Sequence, residues 1–146
     1  MSKRIYELFL FDILVAILKI EYVSNKFDDA EKLKYDFISW DSVIREFGII
    51  GEATNILIKN DCLEKENQIV VDFRNLLIYH YFGIDAEEVF DVIQNDLMVY
   101  KRLIEKKIVE IEPNLKNELL NDVYEENKYL EFIAVELKIL QNEIIS

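Results

Sequence analysis

Arg74 and His80 are the side chains of this sequence best suited to chemistry. His80 is the only histidine. It stands in the run Asp72, Phe73, Arg74, Asn75, Leu76, Leu77, Ile78, Tyr79, His80, Tyr81, Phe82, Gly83, Ile84, Asp85. Histidine is the one side chain whose ordinary pKa lies near neutrality, which makes it the usual general acid or base. Arginine is a permanent cation whose planar fork matches phosphate oxygens. The pair suggests phosphodiester chemistry that needs no metal. A lone histidine between tyrosines on a helix is more often a packed structural residue, and two residues do not decide between the readings.

The rest of the run adds weight. It resembles the signature of the HepT-like branch of the HEPN superfamily, the ribonuclease toxins partnered by minimal nucleotidyltransferase antitoxins. That signature reads Arg-Asn-x-x-x-His-x-Tyr followed by Phe-Gly-Ile-Asp. Arg74, Asn75, Tyr81, Phe82, Gly83, Ile84 and Asp85 fall in register with it. The segment from Asp41 to Ala53, with Ile50-Gly51-Glu52-Ala53, is similar to the family's second-helix pattern, and Val89 to Leu97 is a third match. The likeness spans residues 5 to 108 or so.

The resemblance implies an all-α, up-and-down helix bundle that forms a homodimer, with Arg and His of both chains lining a shared cleft. It implies endoribonuclease chemistry without cofactor or metal. A histidine takes the ribose 2′-hydroxyl proton, the oxygen attacks phosphorus, and arginine steadies the developing charge. Asn75 would orient these groups. RNA is the implied substrate, with tRNA a family expectation. The implied partner is the nucleotidyltransferase antitoxin, which silences the toxin by transferring AMP to a motif tyrosine, here Tyr81.

One position departs from the signature. Tyr79 stands where the family has its catalytic His, and His80 follows one residue later. The broader superfamily allows variable Arg–His spacing, which His80 satisfies. On a regular helix, however, one residue is a rotation of about 100°. Tyrosine, with a pKa near 10, is a poor base at neutral pH. Two readings stay open: His80 acts through a local distortion of the helix, or the chain is a catalytically inactive interaction module that binds the nucleotidyltransferase or RNA. The catalytic candidates are therefore Arg74, Asn75, Tyr79 and His80.

The elements that must position these residues read as helices. The first, Lys3 to Val23, is apolar on nearly every face, which predicts a core position plus a dimer contact. Residues 24–38 read as a charged, irregular connecting loop with room for one short turn. The second helix opens near Ser39 or Asp41 and runs to Lys59, with Gly48 and Gly51 on one face predicting close approach of a neighbour. The third, Ile69 to Phe82, carries the motif and ends at Gly83, read as a left-handed terminator. Asp85 and Glu88 resemble a capping box for a fourth helix reaching Ile111. Pro113 opens a long C-terminal helix to Ile145, where Val123, Leu130, Leu137 and Ile144 recur every seven residues. The division is a helical domain, 1–111, and a helical extension, 112–146, packing on the bundle or dimer.

Composition bounds the rest. At 146 residues and 51% hydrophobic, with three glycines and one proline, the chain suits a single helical domain. The lone Cys62 excludes an internal disulfide and reads as a half-buried apolar residue in a cytoplasmic protein. No stretch is long enough to span a membrane, so no membrane partner is expected. The net charge of −12 argues against indiscriminate binding to nucleic acid, and DNA is not an expected partner. RNA would have to be held by a local cluster drawn from Arg45, Arg74, Lys101, Arg102, Lys106 and Lys107.

Overall fold

The computed structural model describes residues 5–80 and 83–145, and every regular element among them is helical. Helix α1 (Glu7–Ser24) is the axis of the bundle, packed by α3 (Phe37–Lys59), α6 (Leu97–Val109) and α8 (Glu131–Ile145). Its Phe11, Ile13, Leu14, Ile17 and Ile20 are fully buried. Each such side chain contributes about 1.5–3 kcal/mol by leaving water. Most of the all-round apolar pattern is thus used within one chain. Helix α8 covers part of α1, where Phe132 stacks on Tyr22 at 4.2 Å between ring centroids, while Leu8 stays exposed.

The short turn in residues 24–38 is α2 (Ala30–Lys34), capped by Asp29, whose carboxylate accepts from the Lys32 N–H at 2.8 Å. Helix α3 begins earlier than Ser39 or Asp41 suggested. Asp36 is its cap and accepts from the Ser39 N–H at 3.1 Å, so Ser39 sits inside the first turn. The far end closes by a Schellman pattern, with the Cys62 N–H donating to the Leu57 carbonyl at 2.8 Å and the Asp61 N–H to that of Ile58 at 3.1 Å. Asp61 takes the left-handed position there, at φ 58°. Cys62 is exposed rather than half-buried.

A 3₁₀ turn (Lys65–Asn67) leads into α4 (Gln68–Tyr79), which packs chiefly on α3. It ends at Tyr79, and Gly83 does not adopt the left-handed backbone assigned to it. Asp85 caps α5 (Ala86–Asp91) by accepting from the Glu87 N–H at 3.0 Å. The expected fourth helix is continuous in path but not in hydrogen bonding. A π-helical turn, Val92–Asp96, separates α5 from α6. The C-terminal segment is two helices instead of one: α7 (Pro113–Asn127) and α8. The Asn127 side-chain amide donates back to the Val123 carbonyl at 2.9 Å at the end of α7, and the chain turns through Lys128–Leu130. Ile133, Leu137 and Leu140 then face the core.

Candidate active site

Helix α4 holds Arg74, Asn75 and Tyr79, and His80 is its C-cap. Arg74 is half-buried against α3. The contact depends on Gly51, because a Cβ there would overlap Cβ and Cγ of Arg74. Gly48, one turn earlier, has open space beside it. The close approach expected of both glycines is therefore made at Gly51 alone. The Arg74 Nε is enclosed and has no hydrogen-bond partner among the described residues. Leaving such a donor unpaired costs about 1–3 kcal/mol, so it calls for a reason, and a functional role is one.

Asn75 is half-buried, and Tyr79 lies four residues on, on the same stripe of the helix. Tyr79 is 77% exposed, so it does not serve the core of this chain. His80 is exposed too, and its backbone, at φ −124° and ψ 37°, has left the helix. Its N–H still donates to the Leu76 carbonyl at 3.0 Å. A regular helical turn therefore does not fix where the imidazole points, since the roughly 60° change in φ from the helical value swings Cβ about the N–Cα bond. Tyr81 lies outside the described residues.

The other cation candidates are dispersed. Lys101 is tied to Glu21 and Lys107 to Glu64, each at 3.0 Å. Arg45 reaches the buried Glu46 at 3.3 Å, and Arg102 lies on the sulfur of Met98 at 3.6 Å. Burial pushes the Glu46 carboxyl up, opposed by the charges of Lys19 and Arg45. Among the described residues no group of three His, Cys, Asp or Glu is arranged to hold a metal ion, and no helix is long and apolar enough to cross a membrane.

Beside Arg74, on the next face of α4, runs an apolar groove of about 800 Å³ closed on its far side by the π-helical turn and α6. Ile69, Phe73, Leu76, Val92, Val99 and Leu103 line it, with Asp72, Glu88 and Asp96 at intervals. Tyr100 closes its floor, where its hydroxyl and that of Thr54 share a buried hydrogen bond of 2.7 Å. Neither the groove nor the Thr54–Tyr100 pair was legible in the sequence. Polar residues at helical spacing look alike until the partner helix is placed.

With this geometry in place, comparison with known proteins decides the family. The family model described as HepT-like ribonuclease matches residues 13–107 and so contains α3, α4 and the whole motif. The chain belongs to the HepT-like ribonucleases. Two proteins of Methanocaldococcus jannaschii named "Putative RNase" are similar to it. One is 35% identical over 109 residues, 72% of this chain and 98% of its own length. The other is 33% identical over 123 residues, covering 82% and 100%. No solved structure matches. The family match stops before α7, so the helices that cover α1 from the C-terminal side lie outside it.

Proposed function

We propose that this HepT-like chain is the ribonuclease toxin of a toxin–antitoxin pair, attenuated by Tyr79. The observation that carries the reading is Arg74-Asn75 on α4 with Tyr79 in register at the family's histidine position, inside the matched segment. In the intact mechanism a base at the end of α4 takes the 2′-hydroxyl proton. The ribose oxygen then bonds to phosphorus, the 5′-oxygen leaves and is protonated, and a cyclic phosphate remains. Arg74 stabilises the charge on the phosphoryl oxygens. Tyr79 is a weak base for the first step at neutral pH.

The functional unit is a homodimer with the Arg74 residues of both chains facing one cleft. Exposed Ile78 and Tyr79 beside the motif, at 47% and 77%, support a partner surface there. Silencing is by AMP transfer from the cognate nucleotidyltransferase to Tyr81. A second reading is favoured by the non-helical backbone of His80. In it, His80 is freed from the helical direction and serves as the base.

One experiment separates the two. Tyr79→His is expected to raise RNA cleavage by about 10²–10⁴-fold and to raise toxicity on expression, and Arg74→Ala in that background to abolish both. Strong cleavage by the unaltered chain that His80→Ala alone destroys would establish the second reading. Absence of cleavage in every variant, with RNA or the nucleotidyltransferase still bound, would leave an interaction module. Co-expression with the nucleotidyltransferase and intact-mass measurement, with Tyr81→Phe as control, reads out the AMP transfer.

A further inference from the structure

We propose that Gly51 is a positioning residue for Arg74: the bare Cα on α3 is what lets the arginine stem lie against that helix and fixes where the guanidinium points. The inference rests on the reading of Arg74 as the phosphate-binding group and adds the device that aims it.

Two observations carry it. The first is the near contact of the helices. A Cβ on Gly51 would overlap both Cβ and Cγ of Arg74 and would touch Cδ at 3.4 Å. The first three carbons of the side chain therefore run along the glycine. Cβ and Cγ lie at the root of the side chain, so they cannot swing aside as a flexible tip would. Any side chain at 51 must move α4, because Arg74 Cβ is fixed by the backbone and no change of rotamer displaces it. The second is the enclosed Nε, which has no partner among the described residues. A guanidinium whose Nε–H is shut in presents its outer edge, the two Nη groups, to an incoming phosphate. The stem is pinned on one side by α3, and the Nε is sealed, so the fork has little freedom left to lose when it binds. That is preorganisation of a phosphate donor. Gly48 supplies the internal contrast, since it stands on the same helix with nothing within 4 Å of its would-be Cβ.

The test uses the full chain and a 2′-O-methylated oligoribonucleotide, which binds but cannot be cut, so affinity is read without catalysis. Gly51→Ala is expected to weaken binding by about tenfold or more, the worth of one charge-assisted hydrogen bond. Gly48→Ala should leave affinity unchanged within twofold or so, while raising thermal stability through helix propensity. In an Arg74→Ala background the Gly51→Ala effect on affinity should vanish, because a glycine that acts through Arg74 has nothing left to aim. A purely structural glycine would lower stability while the folded fraction kept its affinity, and that result overturns the proposal. So does an equal loss from both glycine substitutions. If Arg74→Ala itself leaves affinity untouched, the ribonuclease reading of Arg74 fails, a different outcome from failure of the glycine alone.

Should Gly51→Ala not fold, the unaltered chain supplies the measurement. The Arg74 Nε–H proton is expected to exchange with water more slowly than those of the exposed Arg45 and Arg102. Exchange as fast as theirs would show that the stem is not held.

Discussion

Helices α1 and α4 are both rich in apolar residues, yet they spend them in opposite ways. Helix α1 is packed by α3, α6 and α8, and most of its large apolar side chains, Phe11, Leu14 and Ile17 among them, are in the core. Helix α4 leans chiefly on α3. Ile69 is 73% exposed, and Leu76, Ile78 and Tyr79 are exposed with it. A helix enclosed on several sides is a scaffold, whereas one held on a single side, with apolar residues left in water, is built to meet something else. The difference also explains where chemistry can sit. Arg74 needs a rigid neighbour to aim it and an open side to receive substrate, and only α4 offers both.

The sharpest way to break this contrast is truncation on each helix. Ile17→Ala, at a fully buried position of α1, is expected to cost about 2–5 kcal/mol in urea unfolding. Ile69→Ala on α4 should cost no more than about 0.5 kcal/mol at low protein concentration. If the Ile69→Ala cost grows with concentration, a second copy covers that face, and the contrast becomes one between intrachain and interchain burial. Equal costs at every concentration would mean that α4 is not an open helix.

The elements were legible where periodicity and caps agree. The runs of α1, α3 and α4 follow from apolar spacing, and Asp85 marks the start of α5. The misses have local causes. Asp36 was passed over because Ser39 and Asp41 are equally good caps by residue type, and only the backbone shows which one turns. The break between α7 and α8 was invisible because the seven-residue spacing of Val123, Leu130 and Leu137 runs through it, with no glycine or proline to interrupt it. The π-helical turn was hidden for a similar reason, since Val89, Ile93 and Leu97 keep a spacing of four across it. At the site, residue types named Arg74 and His80, and the family resemblance the Tyr79 departure. Sequence offered Gly48 and Gly51 as equals, because what separates them is the position of a side chain on another helix.

A second prediction probes the floor of the groove behind α4. Tyr100→Phe leaves the fully buried Thr54 hydroxyl without its partner and should cost about 1–3 kcal/mol at neutral pH. Burial pushes the Tyr100 hydroxyl up to about 12, with the Thr54 hydrogen bond opposing. The folded state thus keeps a proton that the unfolded chain releases above pH 10 or so. Stability from this group is fully present below that pH and is lost as pH rises towards 12. Tyr100→Phe should flatten this alkaline decline. A variant that declines as steeply as the parent would place the pair outside the element that fixes α3 against α6.

The smallest effect is expected on the α1 side. Glu46 is buried on α3, and burial raises its carboxyl above the ordinary range while Lys19 of α1 and Arg45 pull it back. In that window the folded state binds more proton than the unfolded chain, so the stability this group contributes falls as pH rises through it. Glu46→Gln removes the ionisation and keeps the shape. Its midpoint of thermal unfolding should exceed the parent's at neutral pH, and the gap should close under acid, where Glu46 is protonated in both states. The gap stays small because the 3.3 Å contact from Arg45 already offsets part of the burial cost. A loss of stability at neutral pH would mean that the ion pair outweighs the desolvation. The α1 side would then hold a stabilising charge within its apolar core, and the contrast with α4 would lie in exposure alone.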